Sequence, residues 1–116
     1  MEKHFCNYNQ SLAIKELGFN EPCLGFYDKF YNNEIVYGYS EGNNGAPLKS
    51  QVFEWFREKH GLFSEIQPYL IIGTQWRYTI TNRNNSSGLP HKEQFKTYEE
   101  AESACIDKLI EIIKNK

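Results

Sequence analysis

The sequence predicts an α+β fold: a mainly antiparallel sheet of four to five strands with three helices in a single layer on one face, in the order α-β-β-α-β-β-(β)-α. Three observations predict it. Apolar residues recur at helical spacing in three stretches, 10–17, 48–60 and 98–114, and alternating stretches fall between them in pairs. Two of those pairs are joined by connections too short for a parallel crossover, which leaves antiparallel pairing. With 116 residues, 40% hydrophobic, 16% aromatic and 24% charged, a single domain over 1–116 with one modest core is expected.

The first helix, 10–17, has Asn9 as candidate N-cap and Ala13, Ile14 and Leu17 on one face. Gly18 supplies a left-handed C-cap, and Phe19 is placed for the apolar contact that accompanies one. Asn20-Glu21-Pro22 breaks the pattern, and 23–27 and 34–39 alternate around a turn at 28–33, which makes a hairpin. Residues 40–45 have loop composition, and Pro47 sits at a natural first helical position. The second helix, 48–60, carries Leu48, Val52, Trp55 and Phe56 on one stripe and stops at Gly61.

Two further strands, 62–72 and 75–81, are joined near Gly73-Thr74. Pro68 lacks a ladder donor, so it belongs at an edge, at a bulge or at the true strand start. Residues 82–90 read as an exposed, flexible connection, with a short fifth strand around 92–95. Thr97-Tyr98-Glu99-Glu100 has the capping-box pattern and opens the last helix. Its face of Tyr98, Ala101, Cys105, Leu109 and Ile112 is widened by Ile106, Ile110 and Ile113. Such a helix is either tucked between elements or meets another subunit.

Composition excludes several functions. Uninterrupted apolar runs such as Leu70-Ile71-Ile72 fall far short of the ~20 residues of a membrane span, and residues 1–6 carry no signal-peptide pattern, so a cytoplasmic protein with no membrane partner is expected. Cys6, Cys23 and Cys105 are odd in number and lack CxxC spacing, which disfavours disulfides and zinc. A net charge of -2 gives no general attraction to phosphate backbones. Nucleotide-binding and common hydrolase motifs do not occur. No catalytic residue, cofactor or metal is therefore assigned; His60 and His91 are the candidates if acid–base chemistry exists.

Aromatic residues are the unusual feature. Phe26, Tyr27, Phe30, Tyr31, Tyr37 and Tyr39 crowd the first hairpin, and Tyr27, Phe30 and Tyr31 gather at its tip, where not every ring can be hidden. Exposed tyrosines suit protein contacts, and stacking on bases would need a basic groove that Asp28 and Glu34 oppose. The expected protein-binding residues are Tyr27, Phe30 and Tyr31 from the hairpin and Ile106, Ile110 and Ile113 from the last helix.

The block Lys15-Glu16-Leu17-Gly18-Phe19-Asn20-Glu21-Pro22-Cys23, then Ala46-Pro47 leading into Phe53-Glu54-Trp55-Phe56-Arg57-Glu58-Lys59-His60-Gly61, and finally Thr97-Tyr98-Glu99-Glu100-Ala101 span most of the chain. Together they resemble a group of small uncharacterised proteins of bacteriophages, prophages and gut-bacterial mobile elements. That group has no established activity, so the resemblance implies context and no catalytic residues. The expected function is a non-enzymatic binding protein of that type, acting on a protein partner or on a second copy of itself. The alternatives are a nucleic-acid-binding accessory factor using Lys49, Arg57, Lys59, Arg77 and Arg83, and a small enzyme with His60 or His91 as its acid–base group.

Overall fold

The computed structural model describes residues 2–28, 34–40, 45–71, 73–83, 85–90 and 93–115. After a short 3-10 turn at Glu2–His4, the elements are α1 (Tyr8–Glu16), β1 (Cys23–Asp28), β2 (Glu34–Ser40), β3 (Gly45–Ala46), α2 (Lys49–His60), β4 (Leu62–Tyr69), β5 (Gln75–Asn82), β6 (Asn85–Pro90) and α3 (Tyr98–Lys114). The α+β class, the three α-helices and the antiparallel pairing are as expected. The single four- to five-stranded sheet is not: the strands form two three-stranded sheets, ordered β2-β1-β3 and β4-β5-β6. The second sheet is a simple meander, whereas in the first β3 passes β2 to pair with β1, and α2 carries the chain from one sheet to the other.

Local chemistry sets the element ends. Asn7, not Asn9, caps α1: its side chain accepts from the Gln10 N–H at 2.7 Å, and the Gln10 side chain accepts from the Asn7 N–H at 3.1 Å. At the other end the Phe19 N–H donates to the Ile14 carbonyl and the Gly18 N–H to the Lys15 carbonyl, with Gly18 at φ 107°. This is the 6→1 and 5→2 pair of a Schellman stop, and the buried Phe19 and Ile14 supply its apolar contact. Pro47 precedes the N-cap Leu48 rather than opening α2, and its carbonyl accepts from the Cys6 N–H. For α3, Thr97 accepts from the Glu100 N–H at 3.1 Å, while the Glu100 carboxylate takes the Lys96 N–H in place of the cap's own.

Two expectations fail between β5 and α3. Residues 85–90 form a paired strand, with Ile80 opposite Leu89 and Asn82 opposite Asn85, rather than a free connection. The expected strand at 92–95 reduces to a bridge between Phe95 and Trp76, and Lys92 lies outside the described residues.

The core lies between the second sheet and the helices. Alternation along β4 and β5 turns Leu62, Ile66, Tyr78 and Ile80 to one face, where they meet Val52 and Phe56 of α2 and Cys105, Ile106 and Leu109 of α3. Each large apolar side chain fully withdrawn from water contributes about 1.5–3 kcal/mol. The wide apolar face of α3 is thereby explained: the helix is tucked between β4, β5, α2 and α1. Gln10 ties α1 to it, its side-chain amide donating to the Ser103 carbonyl, the Ser103 hydroxyl and the Asp107 carboxylate at 2.9–3.1 Å.

Candidate functional site

The β4–β5 hairpin pairs in continuous register from Leu62 opposite Asn82 to Tyr69 opposite Gln75. β4 therefore ends at Tyr69, short of the expected 62–72: Leu70 and Ile71 lie beyond the strand, and Ile72 lies outside the described residues. Leu70 and Ile71 stand in the turn, 66% and 80% exposed. Just behind them the Arg77 guanidinium lies over the Tyr69 ring, 4.9 Å from its centroid, and the Thr79 hydroxyl donates to Gln67. Two adjacent aliphatic side chains at a projecting turn gain nothing from this chain's own core. They are available to another surface.

Hydrogen-bond parity defines the rest of the site. The Arg83 N–H donates to the Gly61 carbonyl at 2.8 Å, in line with the β4–β5 register. Directly bonded pairs alternate with unbonded pairs in an antiparallel ladder, so Phe63, Glu65, Gln67 and Tyr69 bond to β5, while Ser64, Ile66 and Pro68 turn their backbone groups away. β4 has no partner on that side among the described residues. Pro68 thus stands on an edge strand at a position that costs no ladder bond, as its chemistry requires.

Beside this edge is a groove of about 430 Å³, walled by Phe53, Glu54 and Arg57 of α2, Ser64 and Ile66 of β4, and Tyr98 and Glu102 of α3. Tyr98 is 41% exposed and meets the Trp76 ring edge-on, centroids 5.3 Å apart. Burial pushes the Glu102 carboxyl up, opposed by the Lys49 ammonium at 4.0 Å. Deeper still, burial pushes the Cys105 thiol up to about 12 despite the neighbouring Ser64 hydroxyl, which lowers it.

A second groove, about 690 Å³, runs between the end of α1 and the last turns of α2, lined by Leu17, Glu21, Trp55, Glu58 and His60. The His60 ring lies edge-on to Trp55 at 4.8 Å, which gives it a packing role at the helix end. The thiols offer little nucleophilic chemistry. All three cysteines are buried, and burial drives Cys6 to about 12 and raises Cys23, outweighing the lysines beside them. Among the described residues no three His, Cys, Asp or Glu side chains gather where they could hold a metal ion. No helix among them is long and apolar enough to cross a membrane.

The sequence-derived contact residues fare unevenly. Ile106 and Ile110 are corrected: both are buried against this chain's own core, and Ile113 packs partly buried against the same cluster. Phe30 and Tyr31 lie outside the described residues, as do the Tyr27 side chain and His91. The five cations do not form one face. Lys49 is 7% exposed and engaged with Glu102, Arg77 covers Tyr69, and Arg83 Nη2 donates to the Arg57 carbonyl. Sequence reasoning missed Leu70 and Ile71, whose run continues the strand pattern until Gly73 is taken as the end of the turn rather than its middle.

Compared with known proteins, the chain matches no family model, no curated protein and no solved structure.

Proposed function

We propose that the chain is a small non-enzymatic binding protein of phage or mobile-element type, acting in the cytoplasm through contacts with another protein. The observation that carries this reading is the exposure of Leu70 and Ile71, 66% and 80%, side by side at the turn of the β4–β5 hairpin, well beyond the 40% of Phe63 on its outer face. Aliphatic side chains next to a formed ladder bury area on a partner at a lower ordering cost than the same residues on an unpaired segment would. The scattered cations favour a protein surface over a phosphate backbone.

The test is affinity capture from the native cell, with nuclease treatment, using the natural chain and a Leu70→Ser/Ile71→Ser variant. A partner retained after nuclease and lost by the variant supports the reading. Capture that disappears with nuclease, or that ignores both substitutions, overturns it.

A further inference from the structure

We propose that the free edge of β4 takes up an extended segment of a partner protein as an added strand, seated in the groove between β4 and α2. Its groove-facing side chains are one apolar residue against Phe53, Ile66 and Tyr98 and, two positions along, one basic residue facing Glu54. This rests on the protein-binding reading above and names the partner's chemistry.

The backbone groups come first. Ser64 and Ile66 each present an N–H and a carbonyl on the side away from β5, and no backbone hydrogen bond engages these groups among the described residues. Pro68 presents a carbonyl alone, which closes the row of donors near the hairpin tip. Such a row is matched by extended backbone, and main-chain hydrogen bonds supply the affinity of strand addition. Native edge strands are commonly blunted by charge, proline or a covering element. Here the blunting is partial, because Pro68 guards one end while Ser64 and Ile66 remain open.

Side chains then choose the sequence. The groove's volume of about 430 Å³ accommodates a large apolar side chain with a polar neighbour. Phe53 and Ile66 are partly buried members of the core's rim, and Tyr98 adds an exposed ring. Charge is graded along the α2 wall. Arg57 lies near the base of the hairpin, where Arg83 reaches its carbonyl, and Glu54 stands one turn away from that base with no ion pair among the described residues. Glu102 on the opposite wall adds a second carboxylate, held by Lys49 from behind. A cation in the partner segment is therefore drawn to the Glu54 side. The apolar tip continues the same edge, so one partner can cover both.

The experiment uses the full chain against a random peptide library displayed on phage, followed by resynthesis of the selected peptides. Selected peptides should share the alternating apolar and basic pattern and slow amide hydrogen exchange at Ser64 and Ile66 by roughly tenfold or more, since each new hydrogen bond must open first. Ser64→Pro removes one edge donor without touching the β5 ladder and should weaken binding roughly tenfold. Glu54→Lys, on the exposed wall, should weaken it several-fold and serves even if the proline variant fails to fold. Selection that yields no peptide, or peptides that protect neither amide or bind both variants unchanged, overturns the inference. So does protection of Ser64 and Ile66 that rises with protein concentration alone, which assigns the edge to a second copy. In the capture experiment, a partner lost by the Leu70→Ser/Ile71→Ser chain but kept by Ser64→Pro and Glu54→Lys leaves the binding function standing while removing the strand-addition mode.

Discussion

Trp76 and Phe95 exchange both of their backbone hydrogen bonds, each 2.8 Å long, across the far side of β5. A residue that bonds outward on one side of a strand cannot bond on the other, so Trp76 opposite Pro68 must be an unbonded pair. This agrees with the Arg83 to Gly61 bond at the base of the hairpin and fixes the parity of the whole sheet.

Amide exchange should therefore alternate along β4. The N–H groups of Phe63, Glu65 and Gln67 are expected to exchange roughly tenfold or more slowly than those of Ser64 and Ile66. Residue-resolved hydrogen–deuterium exchange by NMR checks this, and uniform protection along the strand would refute the assigned edge.

Stability and surface roles should separate cleanly by substitution. Ile106→Ala and Leu109→Ala each empty a fully buried site and should cost about 2–5 kcal/mol in urea unfolding. Leu70→Ser and Ile71→Ser, at the exposed turn, should stay within ~0.5 kcal/mol of the natural chain. A large loss at the turn would show that those side chains serve the fold.

Two helix-ending glycines should differ. Gly61 has φ 67°, and a Cβ there would come within 3.2 Å of the Arg83 Cβ; Gly18, at φ 107°, has nothing within 4 Å of such an atom. Gly18→Ala should cost about 1 kcal/mol from backbone strain. At Gly61, whose φ lies within the left-handed helical region, the same change adds the need for Arg83 to give way by a few tenths of an ångström. Thermal or urea unfolding of the pair measures both costs.

Alkaline pH should weaken the fold through its thiols. Cys6 and Cys105 hold their protons to about 12 when buried, against an ordinary thiol value of 9.0. Between those values the unfolded chain has released protons that the folded chain keeps, so stability is full below pH 9 and falls as pH rises toward 12. Tyr78, also raised by burial to about 12 from 10.0, acts in the same direction at the upper end. Urea midpoints measured from pH 7 to 10 should decline, and less so in a Cys6→Ala/Cys105→Ala chain. Neither thiol should react with a soluble disulfide reagent before unfolding.

The legible parts of this chain were those governed by local chemistry. Gly18, Gly61 and Thr97 each satisfy or terminate helix groups within a few residues, so the helix ends could be read closely. Periodicity likewise placed Val52, Trp55 and Phe56 inside. The width of the α3 face could not be interpreted from its own sequence, because α1, α2 and the second sheet, which cover Ile106 and Ile110, are remote along the chain. The division into two sheets was equally hidden, since local alternation does not specify which strands pair. Pro68 did report its edge position, yet the groove beside it depends on α2, β4 and α3 converging.

The amide of Gln10 reaches acceptors 93 and 97 residues further along the chain. At synthesis rates of about 5–20 residues per second, the first helix leaves the ribosome roughly 5–20 s before its latch is made. Nine residues of helix cannot persist unsupported for that interval. Until the last helix emerges, the opening segment can lean only on earlier-made partners, such as the Gly45 carbonyl that takes the Lys15 ammonium and the Trp55 ring beside Phe19.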